Sequence, residues 1–134
     1  MSTRASATFQ VTNWDEKPYH EEKGEPKLTR ATVTKTFRGE LEGESVVEYL
    51  MVHQAEGTAA FVGMEHVKGK LGGKSGTFVL EHRGTYVGGT ARAVCRIVPG
   101  SGTGELARLQ GEGGFAARGR EAPFALDYEF AETS

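Results

Sequence analysis

Glycine is spread so evenly through this chain that few windows can hold a helix of ordinary length. There are 19 glycines among the 134 residues, against only four prolines. A glycine inside a helix costs about 1 kcal/mol relative to alanine, so any long helix would be weakened repeatedly. Short strands joined by glycine-rich turns are the alternative. The sequence therefore predicts a chain that is nearly all β.

Alternation of apolar and polar residues marks the individual strands. In "TFVLEHRGTY" (77–86), Phe78, Leu80 and His82 fall on one face, with Tyr86 further along it. A period of two residues is that of a half-buried strand. Similar patterns or apolar runs occur near 7–13, 29–38, 46–54, 59–69, 90–98, 111–117 and 124–130. About eight short strands indicate an antiparallel barrel or sandwich. Closure would remove the exposed edges, so we predict a single β-barrel domain over residues 1–134.

Composition and charge exclude several classes of function. The net charge of −2 and the pI of about 6.1 argue against the clustered basic surface of a nucleic-acid-binding protein. No apolar run approaches the roughly 20 residues of a membrane-spanning helix. The opening "MSTRASATFQV" lacks the apolar segment of a secretory signal. The single cysteine, Cys95, fits a reducing compartment. We expect a cytoplasmic protein with no nucleic-acid or membrane partner.

Two sequence features could indicate a cofactor or metal site, but the residues around them argue against both. "GTGELA" (102–107) resembles a dinucleotide-binding fingerprint, but that fingerprint must open a helix of several turns. Glycines return at 111, 113 and 114, so we expect at most one short helical turn near 104–109 and no cofactor. The histidines lack zinc-site spacing, so no metal site is predicted, although one assembled across strands stays open. They are His20, His53, His66 and His82.

A charged segment follows the first strand. Residues 15–27, "DEKPYHEEKGEPK", contain two prolines and are predicted to form a long exposed loop. If this loop covered the barrel as a lid, Tyr19 and His20 would make the contacts. Trp14, just before it, is expected to plug one end of the barrel.

Glu48, Glu65 and His82 interrupt the apolar runs that should build the core, and hairpin registers predict which of them meet. A two-residue turn at Glu56-Gly57 would set Glu48 opposite Glu65. A connection centred on Leu41-Glu42 would set Lys35 opposite Glu48.

The later hairpins extend the same row. A Gly88-Gly89 turn, a favoured hairpin dipeptide, sets His82 opposite Cys95. The connection "LGGKSG" (71–76) leaves Glu65 and His82 either paired or offset by two residues, and both registers keep them on one face.

These registers predict a transverse row of polar side chains on the inner face of the barrel: Lys35, Glu48, Glu65, His82 and Cys95. Buried charges must be paired, which Lys35–Glu48 and Glu65–His82 would accomplish. A polar network that only fixes the register and a binding site are both consistent with such a row.

Four stretches of the chain resemble a bacterial family of uncharacterised proteins of about this length. They are "LTRATVTKTFRGELEGE" (28–44), "VEYLM" (47–51), "FVGMEHVKGKLGGKSGTFVLEHRGTY" (61–86) and "VPGSGTGELARLQGEGGF" (98–115). The family has an antiparallel β-barrel similar to that of allene oxide cyclase and the dirigent proteins, in the broad lipocalin-like class. The resemblance implies a fold and supplies no catalytic residues.

We predict first a barrel that binds a mainly apolar small molecule among inward-facing side chains. These are Phe9, Phe61, Phe78, Tyr86, Phe124 and Tyr128, with Lys35 and Cys95 from the polar row. The second hypothesis is an isomerase or cyclase in which Glu65 or Glu48 is the acid or base and His82 its partner. The third is a structural or interaction module with a filled interior.

Self-association is a further expectation, because barrels of this kind often pair through a flat outer face. Val47, Tyr49 and Met51 are the candidate residues, provided that they point outward.

Overall fold

Eight strands close into one antiparallel barrel in the computed structural model, which describes residues 2–132. The strands are β1 (Thr3–His20), β2 (Lys27–Gly39), β3 (Leu41–Ala55), β4 (Thr58–Leu71), β5 (Lys74–Val87), β6 (Thr90–Ile97), β7 (Leu109–Ala117) and β8 (Glu121–Phe130). Each strand pairs with the next along the chain, and β8 pairs with β1. The predicted all-β barrel is confirmed.

One 3-10 turn, η1 (Gly104–Leu106), is the only helical element within residues 2–132, where a short turn was predicted. It joins β6 to β7 and places Leu106, which is fully buried, against the core. No helix in this part of the chain is long and apolar enough to cross a membrane.

Alternation along the strands puts apolar side chains inside the barrel. On β5, Phe78, Leu80 and His82 are buried, while Glu81 and Arg83 between and beyond them are exposed. The Gly88-Gly89 turn has φ values of 59° and 84°, the left-handed conformation that a two-residue hairpin turn of this hand requires. Local glycine therefore fixes the β5–β6 register as predicted, with His82 opposite Cys95.

The prediction of a long loop over 15–27 is wrong. β1 continues to His20 and pairs with β2 as far as Leu28, so only residues 21–26 form the connection. The strand was hidden because this end of β1 carries polar residues on both faces at the barrel rim. Inward-facing Glu16, for example, is half-buried and hydrogen-bonded to Thr29.

The predicted β3–β4 register is wrong by one residue. Ala55 pairs with Thr58 across the expected turn, but His53 pairs with Ala59, which leaves Gln54 as an extra residue in a bulge. Every pair beyond the bulge is displaced by one. A one-residue slip exchanges the two faces of a strand.

The predicted β2–β3 register is wrong as well. The chain turns at Glu40, because Leu41 already belongs to β3, where it is buried opposite Leu71. Lys35 consequently lies opposite Ser45 and not opposite Glu48.

Candidate functional site

Five neighbouring strands contribute polar side chains to the barrel interior: Lys35 (β2), Ser45 (β3), Glu65 (β4), His82 (β5) and Cys95 (β6). Lys35 is 3% exposed, Glu65 1% and His82 0%. A charged group so far from water requires partners, because its desolvation is costly. The contacts around Glu65 supply them.

Glu65 is the hub of the buried cluster. His82 Nε2 lies 2.6 Å from Glu65 Oε1, and Ser45 Oγ donates a hydrogen bond of 2.5 Å to Oε2. Lys35 Nζ is 3.7 Å from the same Oε2. Burial by itself raises the pKa of Glu65, but the Lys35 charge and the bonds from His82 and Ser45 outweigh it and hold the pKa at about 2. The carboxylate is therefore ionised at neutral pH.

Lys35 sits at an ion-pair distance from Glu65, beyond hydrogen-bond range. Its ammonium otherwise lies over two aromatic rings, with Nζ 4.4 Å from the ring centroid of Phe9 and 4.9 Å from that of Phe115. Such cation–π contacts stabilise a desolvated cation but leave its N–H donors able to bind a stronger acceptor.

A hydrogen-bonded chain runs from Glu65 through His82 to Tyr49. Since an ionised carboxylate only accepts, His82 Nε2 donates its hydrogen to Glu65 Oε1. Tyr49 Oη lies 3.3 Å from His82 Nδ1, within hydrogen-bonding distance. Burial, then the negative charge of Glu65, raises the pKa of Tyr49 well above its usual value, so the phenol stays protonated.

A cavity of about 90 Å³ lies at the end of the barrel where the β3–β4, β5–β6 and β7–β8 hairpins turn. Its walls are mostly aromatic and aliphatic, and Lys35 and Tyr49 link it to the polar cluster. The lining residues are Phe9, Val11, Trp14, Lys35, Tyr49, Met51, Phe61, Tyr86, Ala91, Phe115, Ala117 and Gly119.

Glycines on neighbouring strands allow two of the cavity rings to lie flat against the sheet. Tyr49 pairs with Gly63, and a Cβ added to Gly63 would come within 2.6 Å of Tyr49 Cδ1. Phe61 pairs with Gly84, where an added Cβ would come within 2.6 Å of Phe61 Cζ. The two rings contact each other edge to face, with centroids 5.0 Å apart.

Trp14 is held at the mouth of the cavity by the rim of the barrel. Its Nε1 donates to Glu16 Oε1 at 2.9 Å, and its ring lies 6.2 Å from that of Tyr49. Glu16 Oε2 in turn accepts from Thr29 at 2.8 Å and lies 3.0 Å from His53 Nε2. Partial burial raises the pKa of Glu16, but these hydrogen bonds outweigh it and lower the pKa overall.

Comparison with known proteins places the chain in a family. The family model described as "Protein of unknown function (DUF3224)" matches residues 5–130. The chain belongs to DUF3224. A crystal structure of a DUF3224 protein of unknown function from Shewanella oneidensis MR-1, at 1.84 Å resolution, is similar with a TM-score of 0.81 and 32% sequence identity. The match covers 98% of this chain and 100% of that one. Among curated proteins, none matches significantly.

In this DUF3224 protein, four of the five residues predicted to form a polar row lie together inside the barrel. Lys35, Glu65, His82 and Cys95 share the inner face as the strand patterns indicated. Burial, together with the charge of Glu65, raises the pKa of Cys95 to about 12, so its thiol is protonated beside His82 and is a poor nucleophile. Ser45 completes the cluster and was not predicted.

Glu48 was assigned to the wrong face. It points outward, with its side chain 42% exposed, and accepts hydrogen bonds from Arg30 at 3.2 Å and Thr32 at 2.8 Å. The bulge at Gln54 is the physical reason, since it exchanges the two faces of β3 relative to the turn.

The same exchange corrects the proposed self-association face. Val47, Tyr49 and Met51 point into the barrel, and Val46 and Leu50 are the exposed apolar residues of β3. Self-association itself stays a prediction.

The predicted aromatic residues divide between the cavity and the closed part of the barrel. Phe9 and Phe61 line the cavity, and Tyr86 lies at its rim with 39% of its surface exposed. Phe78 and Phe124 pack into the core away from the cavity, and Tyr128 is partly buried against that core.

Sequence reasoning missed several cavity residues, above all Tyr49, Met51 and Phe115. β3 is apolar on both faces, so its alternation does not distinguish the inner residues from the outer ones. Phe115 lies in a predicted strand, and only its pairing opposite Ala93 and Phe124 places it beside Lys35. Within residues 2–132, no group of three or more His, Cys, Asp or Glu side chains is arranged to hold a metal ion.

Proposed function

We propose that this DUF3224 protein binds a small, mainly apolar molecule in the open end of its barrel. The observation that carries the proposal is a cavity of about 90 Å³ with aromatic walls and one buried ammonium group. Binding sites for small molecules are typically concave and apolar, with a few polar groups that fix orientation. An eight-stranded barrel leaves room for side chains or for one small ligand.

The cavity is large enough for more than solvent. One water molecule needs a space of only roughly 10–15 Å³, so the cavity accommodates a compact organic group. Apolar walls bind ordered water poorly, because a buried water needs two to four polar partners. An apolar ligand would instead bury its own surface against the rings of Phe9, Tyr49 and Phe61, at about 25 cal/mol per Å².

Trp14 allows binding to be measured directly. It is the single tryptophan of the chain, and it lies at the cavity mouth. We expect saturable changes in its fluorescence on titration with benzyl alcohol and phenylacetate. Native mass spectrometry of protein purified from its own host would show a co-purifying small molecule.

The same substitution of phenylalanine by leucine at two positions provides a matched control. Phe61→Leu alters the cavity wall, whereas Phe78→Leu alters a buried core position outside the cavity. The proposal predicts that Phe61→Leu changes the affinity and that Phe78→Leu lowers only the stability. Equal effects of the two variants on affinity, or no saturable binding by any probe, would contradict it.

An enzymatic function is a second candidate, supported by the Glu65–His82–Tyr49 chain. Of these three residues, only Tyr49 lines the cavity, so a proton would pass to a ligand through its hydroxyl. Glu65 and His82 would act as positioning residues that orient this hydroxyl. This revises the sequence hypothesis, in which Glu65 or Glu48 met the substrate.

The hydrogen of a tyrosine hydroxyl exchanges with solvent, so a proton that Tyr49 delivers to a ligand in D₂O would be a deuteron. The co-purifying compound would be incubated with the protein in D₂O, and its deuterium content measured by mass spectrometry. We expect Tyr49→Phe to bind the compound and to lose the exchange. Exchange that persists in Tyr49→Phe would remove Tyr49 from this role.

A further inference from the structure

We infer that the cavity selects a compact organic anion, of which a small carboxylic acid is the fitting class, bound with its acid group against the Lys35 ammonium. This inference rests on the proposed function and specifies its ligand. It concerns the sign of the charge that the cavity accepts, which the apolar walls alone do not determine.

The charge that lines the cavity is of one sign. Lys35 is the only charged residue among the lining residues, and it is 97% removed from solvent. The other polar contributors are the neutral side chains of Tyr49, Tyr86 and Trp14. An ammonium in apolar surroundings interacts with an anion much more strongly than the same group does in water. A cation would meet repulsion there, and a neutral ligand would gain only a dipolar contact.

Glu65 does not use up the binding capacity of Lys35. Its two oxygens already accept hydrogen bonds of 2.6 Å from His82 and 2.5 Å from Ser45, and Lys35 Nζ stays at 3.7 Å. The carboxylate therefore keeps two hydrogen bonds that do not depend on Lys35. The ammonium can donate to a second acceptor while it remains beside its counter-ion.

The remaining contacts of Lys35 are weak acceptors. The ring faces of Phe9 and Phe115 attract the cation but offer no lone pair to its N–H groups. A carboxylate oxygen entering the cavity would form a charge-assisted hydrogen bond, which is roughly twice as strong as a neutral one.

The shape of the cavity sets the orientation and the size of the ligand. With its acid group on Lys35, the apolar part of a ligand lies between Tyr49, Met51 and Phe61 and extends toward Trp14 and Tyr86 at the rim. A volume of about 90 Å³ is smaller than the roughly 150 Å³ of an apolar cavity that holds benzene. It therefore encloses a short chain, and the ring of a larger acid lies partly at the open mouth beside Trp14 and Tyr86. One lysine cannot neutralise a phosphate dianion, so phosphorylated ligands do not fit this inference.

Three probes of nearly equal size test the sign of the charge. Phenylacetate, phenylacetamide and 2-phenylethylammonium would be titrated at pH 7 with Trp14 fluorescence as the readout. We expect phenylacetate to bind at least tenfold more tightly than phenylacetamide, and 2-phenylethylammonium to show no saturable binding.

Two lysine variants test whether Lys35 causes the preference for the acid over the amide. Lys35→Met should reduce the affinity for phenylacetate to that for phenylacetamide or below it, because the ionised Glu65 remains. Lys68→Met, at an exposed position on the outer face of β4, makes the same change of side chain and should keep the preference. The double variant Lys35→Met/Glu65→Gln, which leaves no lone charge at these two positions, should bind phenylacetate and phenylacetamide with equal affinity.

The outcomes separate the inference from the proposed function. Saturable binding of the acid and the amide with equal affinity would overturn the inference and leave the proposed function standing. Binding of none of the three probes would overturn both. A preference for the acid that survives Lys35→Met, or that disappears in Lys68→Met, would assign it to another charge and overturn the inference.

Discussion

Replacement of Lys35 by methionine tests the electrostatics of the barrel interior. The change removes the cation that lies 3.7 Å from Glu65 and leaves an ionised carboxylate with a relative exposure of 1%. Breaking a buried ion pair by removing one partner typically costs about 3–5 kcal/mol. Ser45 and His82 continue to stabilise Glu65, so we expect a loss of about 3 kcal/mol in the free energy of unfolding at pH 7.

The double variant Lys35→Met/Glu65→Gln separates the charge interaction from packing. It removes both charges, and the glutamine can still hydrogen-bond to Ser45 or His82. Two neutral side chains of similar size replace an ion pair at little cost or with a gain. We therefore expect the double variant to be more stable than Lys35→Met, with a coupling free energy of about 2 kcal/mol between the positions.

Urea unfolding followed by Trp14 fluorescence and far-ultraviolet circular dichroism measures these differences. Loss of Lys35 raises the pKa of Glu65, so the penalty of Lys35→Met should shrink as the pH falls toward 4. Free-energy changes of the two single variants that simply add in the double variant would refute the interaction. So would a penalty of Lys35→Met that is independent of pH.

Three further predictions follow from the same contacts. The pKa of Glu65 lies at about 2 against an ordinary 4.5, so its contribution to the free energy of unfolding, on the order of 3 kcal/mol, is complete above pH 4.5 and is lost as the pH falls toward 2. In acid unfolding monitored by circular dichroism, Glu65→Gln should lose most of this pH dependence. An unchanged acid transition in this variant would contradict the prediction. Burial raises the pKa of Cys95 to about 12, so its thiol should react with a disulfide reagent at least 100-fold faster in urea than in the native protein. Equal reaction rates in the two conditions would contradict the burial of Cys95. In Gly63→Ala the new Cβ would lie 2.6 Å from Tyr49 Cδ1 and 2.6 Å from the Glu48 carbonyl oxygen. We therefore expect a loss of about 1–3 kcal/mol in the free energy of unfolding and weaker binding of phenylacetate. An alanine variant with unchanged stability and binding would show that Gly63 does not confine the Tyr49 ring.

The architecture could be predicted because local signals encode it. Glycine frequency argues against helices, alternation identifies inner faces, and the Gly88-Gly89 turn fixes one register by its own conformation. His82 and Cys95 are therefore placed correctly, since β5 and β6 alternate clearly between apolar and polar residues.

The sequence could not assign Glu48 to the inner or the outer face of the barrel. That assignment depends on a bulge and a turn, which the alternation of apolar and polar residues does not reveal. The bulge at Gln54 and the turn at Glu40 each change the register by an odd number of residues. β3 offers no internal check, since Val46 and Leu50 on its outer face are as apolar as Val47 on its inner face. Only pairing with the neighbouring strands resolves the ambiguity.

The cavity itself also lies beyond sequence reasoning. Phe61 and Phe78 carry the same side chain on inward-facing positions, yet only Phe61 borders open space. The difference depends on the hairpin turns at one end of the barrel, which leave that end open, and on the residues that fill the opposite end, such as Leu106 of η1. These are long-range properties of the closed sheet.

Methionine methyl groups provide the most direct test of binding inside the barrel. Met51 lines the cavity, and Met64 is exposed on the outer face of the neighbouring strand. In a titration of ¹³C-methyl-methionine-labelled protein with phenylacetate, we expect a saturable chemical-shift change at Met51 and none at Met64. A saturable change at Met64 with Met51 unaffected, or no change at Met51 up to saturation of the Trp14 signal, would contradict binding in the cavity.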